Sequence, residues 1–292
     1  MNWWQDLRGR VSLDEPLKNK TTFKIGGRAR FFIEPRDVRD LQSFLICVKE
    51  KMPILILGSG SNVLVRDDGL QALVLQLNNQ NFKTINCDHN TIKAGAGCSL
   101  IGLIQFAKEY NLSGFEFLAG IPGTLGGALA MNAGAWSQAI GGLVEKVTVM
   151  EYNGKIKVLP RNKIDFSYRK SSLGEYIILG ASFCLTKKNK DEITRQVNEY
   201  LNIRRKNQDF SYPNAGCVFK NPERSSAGKL IDLCGLKGTR AGGALISYKH
   251  ANFILNEKDA KCEDVLKLMD LVKREVKNRF RVDLEPEIKI WN

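Results

Sequence analysis

Two glycine-rich stretches carry the residue types best suited to chemistry in this 292-residue chain. Gly58-Ser59-Gly60-Ser61-Asn62 follows the β-rich run PILIL and offers consecutive backbone N–H groups that can converge on an anion. A Rossmann dinucleotide loop is excluded, because it needs a third glycine opening a helix, whereas Gly60 leads into the β-branched SNVLVRDD. Taken alone, the five residues also suit an ordinary glycine-rich hairpin. Gly120-Ile121-Pro122-Gly123-Thr124-Leu125-Gly126-Gly127 joins a Pro-Gly turn to a Gly-Gly pair and the helix-compatible Ala-Leu-Ala-Met. A helix N-terminus there can face the same anion, and two such loops together can hold a dinucleotide. Tight packing of a helix on a sheet is the competing explanation.

Other chemistries have little to work with. Seven cysteines (Cys47, Cys87, Cys98, Cys184, Cys217, Cys234, Cys262) form an odd set without a C-x-x-C pair, which argues for reduced thiols rather than a disulfide framework or a zinc site. His89 and His250 are the only imidazoles, so a multi-histidine metal centre is excluded and no metal is expected. Lys and Arg number 44 against 31 acidic residues, a net charge of +13 that favours anionic partners such as nucleic acid or phosphorylated metabolites. MNWWQDLRGR lacks the apolar stretch of a signal peptide, and no run reaches a membrane span, so a cytoplasmic location and no membrane partner are expected.

The elements that must position the loops are read from periodicity. FFIEP reads as a strand, and Asp37 to Lys51, with Val38, Leu41, Leu45 and Val48, as an amphipathic helix. Residues 53–77 hold three short β-rich runs broken by GSGSN and by RDDG. Eleven glycines between Gly95 and Gly142 imply backbone held close to something. VEKVTVMEY, a turn at Asn153-Gly154, KIKVLP and EYIILGASFCL extend the β-rich unit. Lys187 to Gln208 is charged and helix-periodic, a natural boundary. Beyond it, GCVFKNP and ALISYKHANFILN alternate with helical patterns at Ala227 to Gly235 and Ala260 to Phe280, as in a mixed α+β domain.

TTFKIGGRARFFIEP, LGSGSNVLVRDDG, GFEFLAGIPGTLGGALAMNAGA, DFSYRKSS, NAGCVFKNP, ISYKHANFILN and LEPEI occur in the order seen in the UDP-N-acetylenolpyruvoylglucosamine reductases, and the chain resembles that family from Leu17 to Ile290. The resemblance implies an α+β fold: an FAD-binding domain of the vanillyl-alcohol-oxidase (PCMH) type over residues 1–190, with two subdomains split near 52–55, and a substrate-binding domain over 191–292 whose last strand returns to the FAD domain. It implies non-covalent FAD, with NADPH as co-substrate and a UDP-sugar enolpyruvyl ether as the molecule reduced. The setting would be cytoplasmic peptidoglycan precursor synthesis, and with it cell-wall biogenesis, cell shape and cell division.

By motif position, flavin contacts fall on Gly58, Ser59, Gly60, Ser61, Asn62, Gly120, Ile121, Pro122, Gly123, Thr124, Gly126, Gly127 and Asn132. Arg169 of YRKS is the guanidinium for a carboxylate that becomes an enediolate, a role suited to its planar donor fork. Glu287, second acid of LEPE, is the partner that stabilises or protonates the intermediate, with Glu285 structural. Cys217 stands where the family usually has serine; a thiol, with a pKa near about 8.5, remains mostly protonated at pH 7 and can serve as general acid. Tyr168, Arg205, Lys220, Asn221 and His250 fall at substrate-binding positions. Ala135-Trp136-Ser137-Gln138 departs from the Tyr-Gly with which the family commonly continues. The close approach of Glu287 to the end of the chain suits the shorter form without an inserted tyrosine loop.

Two rivals are weighed. An oxidase of the same fold often attaches its flavin through histidine, and neither glycine loop contains one. A basic nucleic-acid binder would interleave aromatics with its cationic runs, which KKNK and RRK do not, so no nucleic-acid partner is expected. The oligomeric state is not legible.

Overall fold

A computed structural model describes residues 3–48 and 52–292. The last three residues of the expected Asp37 to Lys51 helix lie outside them. The chain forms two compact units, each built from separated segments: residues 1–13, 31–58 and 72–203 in the first, and 14–30, 59–71 and 204–292 in the second. This differs from a division at 190/191. Strands such as Arg28–Glu34 and Leu70–Leu75 run from one unit into the other, and periodicity carries no mark of such a crossing.

The first unit centres on a five-stranded sheet in the order Ile156–Pro160, Val144–Met150, Ile177–Cys184, Thr91–Gly95, Ile85–Asp88, antiparallel throughout. Ile177–Cys184 is almost continuously buried, as suits a central strand covered on both faces. Ile156–Pro160 alternates exposed and half-buried residues and ends in proline, as suits an edge strand. Gly180 is required by close approach, since a Cβ there would lie 2.6 Å from the Ala94 carbonyl oxygen. Ile54–Ile56 pairs in parallel with Leu73–Leu75.

Four helices accompany these strands. Helix α1 (Val38–Cys47) is capped by Asp37, whose side chain accepts from the Asp40 backbone N–H. Helix α2 (Leu100–Glu109) is capped by Ser99 and buries Leu100, Leu103, Ile104 and Ala107, a helical stripe hidden within the glycine-dense segment. Helix α3 (Leu125–Ala130) follows the second glycine loop. Helix α4 (Lys190–Asn207) buries only Ile193 and Val197, in keeping with its charge.

In the second unit, Arg240–Ala241, Ala244–Ile246 and Ile254–Asn256 form an antiparallel sheet. Helices α5 (Ala227–Leu233) and α6 (Cys262–Phe280) share its core, α6 contributing Cys262, Val265, Leu268, Met269, Val272 and Val276 at helical spacing. The early segment is tied in by Asn256, whose amide donates to the Phe23 carbonyl at 3.0 Å while its oxygen accepts from Ala260 N–H at 2.7 Å. Lys289–Trp291 pairs in parallel with Val63–Val65. No helix among the described residues is long and apolar enough to cross a membrane, and none of their His, Cys, Asp and Glu side chains cluster as a metal site.

Candidate active site

Within the first unit Gly58, the first residue of one glycine loop, lies beside Thr124 of the other. Gly58 leaves Ile54–Ile56 with its carbonyl accepting from the Gln76 side chain at 2.7 Å, and a Cβ at Gly58 would come 2.7 Å from Thr124 Oγ1. Thr124 caps α3, accepting from Gly127 N–H at 3.4 Å. Leu125 and Gly126 donate to the carbonyls of Cys98 and Ala96, each at 2.8 Å. The first turn of α3 is therefore engaged by protein, and Gly120–Thr124, with Gly120 at φ +76°, rather than that turn is what can face a ligand. In the second unit Gly60 sits at φ +65°, where a Cβ would press to 2.2 Å from the Lys20 carbonyl oxygen.

Arg169 occupies the turn of a hairpin, Phe166–Ser167 against Lys170–Ser171, with its own φ at +55°. Three hydrogen bonds in the same unit join this hairpin to the segment leaving α3. Ser171 Oγ donates to the Ala130 carbonyl at 3.0 Å, Asn132 Nδ2 to the Ser167 carbonyl at 2.8 Å, and Arg169 Nη1 to the Gly134 carbonyl at 2.8 Å. Asn132 is buried, and its oxygen also accepts from Gly141 N–H at 3.1 Å. The exposed Tyr168 ring lies 5.3 Å from the Arg169 guanidinium carbon.

Cys217 and Glu287 lie on neighbouring segments of the second unit, both half-buried. Val218 N–H donates to the Asn252 carbonyl at 2.9 Å, Glu287 N–H to the Val218 carbonyl at 2.8 Å, and Lys220 N–H to the Glu285 carbonyl at 2.9 Å. Residues 217–220 thus run between the strand-like 252–253 and 285–287. Asn252, which sequence reasoning missed, fixes that segment: its Oδ1 accepts from Phe219 N–H at 2.9 Å and its Nδ2 donates to the Phe219 carbonyl at 2.8 Å. A lone amide between Ala251 and Phe253 in an otherwise apolar run was the available signal. Asn62 Nδ2 donates to the Glu287 carbonyl at 3.2 Å, bringing the first glycine loop beside the expected acid.

The expected substrate residues of this unit are partly engaged with protein. Lys220 Nζ pairs with Glu285 Oε1 at 2.5 Å, and Asn221 Oδ1 accepts from Ala227 N–H at the start of α5. The Arg205 carbonyl accepts from Lys249 Nζ at 2.6 Å. His250 is half-buried, its Nδ1 accepting from Asn252 N–H at 3.3 Å and its ring 4.7 Å from that of Phe253. Burial and the Lys237 charge hold its pKa below the usual histidine value, against its backbone hydrogen bond. Below it, Ser247 Oγ donates to Asp209 at 2.6 Å. Burial pushes the Asp209 carboxyl up, but hydrogen bonds from Ser211 and Ser247 and the charge of Lys249 together outweigh it, so its pKa is lowered.

The structure therefore assembles two sets of expected residues. Gly58, Gly120–Gly127, Asn132, Tyr168 and Arg169 belong to the first unit, and Ser59–Asn62, Cys217, Lys220, Asn221, His250 and Glu287 to the second.

Residues 29–159 match the family model of an FAD binding domain, which defines the chain as a flavoprotein. Residues 208–291 match the model of the UDP-N-acetylenolpyruvoylglucosamine reductase C-terminal domain. The chain is 41% identical over 287 residues to the UDP-N-acetylenolpyruvoylglucosamine reductase of Desulforamulus reducens, covering 97% of this chain and 94% of that protein. It is 42% identical over 287 residues to that of Geotalea uraniireducens, covering 97% and 95%. The crystal structure of MurB from Thermus caldophilus superposes with a TM-score of 0.83 at 36% identity, over 98% of this chain and 100% of that one. The chain belongs to the UDP-N-acetylenolpyruvoylglucosamine reductase family.

Proposed function

We infer that this chain reduces UDP-N-acetylglucosamine enolpyruvate to UDP-N-acetylmuramate with FAD and NADPH. The observation that carries the reading is similarity at about two-fifths identity across nearly the whole chain to reductases of that name, with both halves matching family models. The residues present fit the flavin dinucleotide: Gly58 and Gly60 leave space beside backbone and the Thr124 hydroxyl that a Cβ would fill. Gly58 to Asn62 and Gly120 to Thr124 would hold its pyrophosphate through backbone donors, without covalent attachment. When bound, FAD carries two electrons from NADPH to C3 of the enolpyruvyl group as hydride.

The chain's own residues then have three tasks. Arg169 binds and neutralises the carboxylate as it becomes an enediolate, its fork matching two oxygens. Cys217 delivers the proton from Sγ to C2, completing the addition of hydride and proton across the double bond. Glu287 assists at the same carboxylate. Tyr168, Arg205, Lys220, Asn221 and His250 orient the UDP-sugar. The setting we propose is the cytoplasm, in peptidoglycan precursor synthesis and thereby cell-wall biogenesis, cell shape and division.

Stopped-flow flavin absorbance, recorded separately with NADPH and with the enolpyruvyl substrate, tests the assignment. Cys217→Ala leaves flavin reduction intact and slows reoxidation by about 10²-fold or more, while Cys217→Ser retains part of the rate. Arg169→Lys and Glu287→Gln lose more in the second half-reaction than in the first. Equal slowing of both halves would reassign these residues to folding or flavin retention.

A further inference from the structure

We propose that Trp136 is a positioning residue for Arg169, holding the guanidinium in place through the turn on which Trp136 sits. The proposal rests on the catalytic role assigned to Arg169 above. Gly134–Ala135 and Gln138–Ala139 form a two-residue hairpin whose turn residues, Trp136 and Ser137, have φ of +57° and +60°. That is the left-handed geometry of a tight hairpin turn, which each non-glycine residue adopts at a cost, so the turn needs an outside hold. The Trp136 ring supplies it, stacking on Tyr200 of α4 with centroids 5.0 Å apart and planes 9° from parallel. Tyr200 is itself anchored: Gln196 Nε2 donates to its hydroxyl at 3.0 Å, and Lys188 Nζ donates to Gln196 Oε1 at 3.3 Å.

The other end of the hairpin touches the chemistry. Gly134 provides the carbonyl that accepts from Arg169 Nη1, and Asn132, two residues earlier, donates to the backbone of the Arg169 hairpin. Anchoring one Nη fixes the plane of the guanidinium fork, and a planar fork binds a carboxylate only in register. Two strained turns, at Trp136-Ser137 and at Arg169, are thus fastened to each other and, through a single aromatic stack, to α4. Losing the stack lets the 134–139 hairpin move, and the Gly134 carbonyl with it. The stack itself touches neither Gly58–Asn62 nor Gly120–Thr124, and Asn132 keeps its bonds to Ser167 and Gly141, so flavin retention and reduction by NADPH should be spared.

The test uses FAD-loaded Trp136→Ala, Trp136→Phe and Tyr200→Leu. Trp136→Ala and Tyr200→Leu should keep wild-type flavin content and NADPH half-reaction, yet slow reoxidation by the enolpyruvyl substrate by about five- to tenfold, the loss of one aromatic stack expressed as a rate. Trp136→Phe, which keeps a ring on Tyr200, should restore most of it. Independently of turnover, amide hydrogen exchange should quicken in Trp136→Ala at residues 134–139 and also at 166–171. Unchanged exchange at 166–171, equal slowing of both half-reactions, or no rescue by phenylalanine would each overturn the proposal. A wild-type protein whose reduced flavin is not reoxidised by that substrate would instead break the functional reading, leaving the exchange result to judge the tie between the hairpins. If Trp136→Ala does not fold, Tyr200→Leu removes the same stack from the other side and is judged by the same outcomes.

Discussion

Replacing Asn252 by alanine should cost the protein about 2–6 kcal/mol, a figure that follows from what its amide satisfies. Asn252 is 2% exposed and Phe219 1%, and the amide pairs with both the N–H and the carbonyl of Phe219. Truncation leaves two buried backbone groups without their partner, and each such orphan costs about 1–3 kcal/mol. Asn252→Asp separates the two bonds. It keeps an acceptor for Phe219 N–H but sets a second oxygen against the Phe219 carbonyl, so it should recover no more than about half of the loss. Urea unfolding of the FAD-loaded protein, followed by tryptophan fluorescence, gives the number by linear extrapolation. Because Phe219 lies two residues from Cys217, the alanine variant should also reoxidise its flavin more slowly than it reduces it. A stability loss below about 1 kcal/mol would refute the reasoning, since Phe219 would then be satisfied without Asn252 and the amide would not be what fixes the Cys217 segment.

Gly60→Ala should lose flavin and about 2–4 kcal/mol of stability, combining the left-handed φ with a Cβ driven into Lys20 and Thr21 backbone. Gly216→Ala, at φ +76° but with nothing within 4 Å, should pay only the backbone term and stay yellow; flavin absorbance per chain distinguishes them, and equal loss in both would contradict the steric argument. His250 is held below the ordinary histidine value of about 6.5, so the unfolded chain takes up the proton first. Its contribution to stability is complete above about pH 6.5 and drains as pH falls through the lower folded value. His250→Gln should therefore flatten the fall in urea midpoint below about pH 6.5, and a variant as pH-sensitive as the wild type would exclude this histidine as the cause.

What was legible in the sequence followed from periodicity and motif order. Helices α4 and α6 carry apolar stripes on charged backgrounds, and the alternating run at Val144–Met150 with Asn153-Gly154 spelled out a hairpin. Helix α2 escaped because Gly102 and its glycine-rich surroundings mask the stripe of Leu100, Leu103, Ile104 and Ala107. The discontinuous units escaped because which segments group together is decided by distant partners rather than by local pattern. At the site, motif position located Asn62, Asn132 and Asn221 but could not tell what their amides bind. Each has a side-chain bond to protein backbone, with Glu287, with Ser167 and Gly141, and with Ala227 respectively. The turns that place Trp136 and Arg169 at positive φ were equally hidden, since neither residue type announces that geometry.

The parallel pairing of the last strand with Val63–Val65 also sets an order of events during synthesis. Val63–Val65 and Phe23 leave the ribosome early, yet the strand that pairs with Val63–Val65 and the Asn256 amide that holds the Phe23 carbonyl are each encoded more than two hundred residues later. At about 5–20 residues per second, they wait on the order of ten seconds or more before that partner exists. Leu64 and Phe23, both fully buried in the finished protein, must stay clear of other chains throughout that interval. The first unit draws on nothing beyond residue 203 and can close meanwhile, whereas the second waits for residues 204–292 and stays open to chaperones until they have emerged.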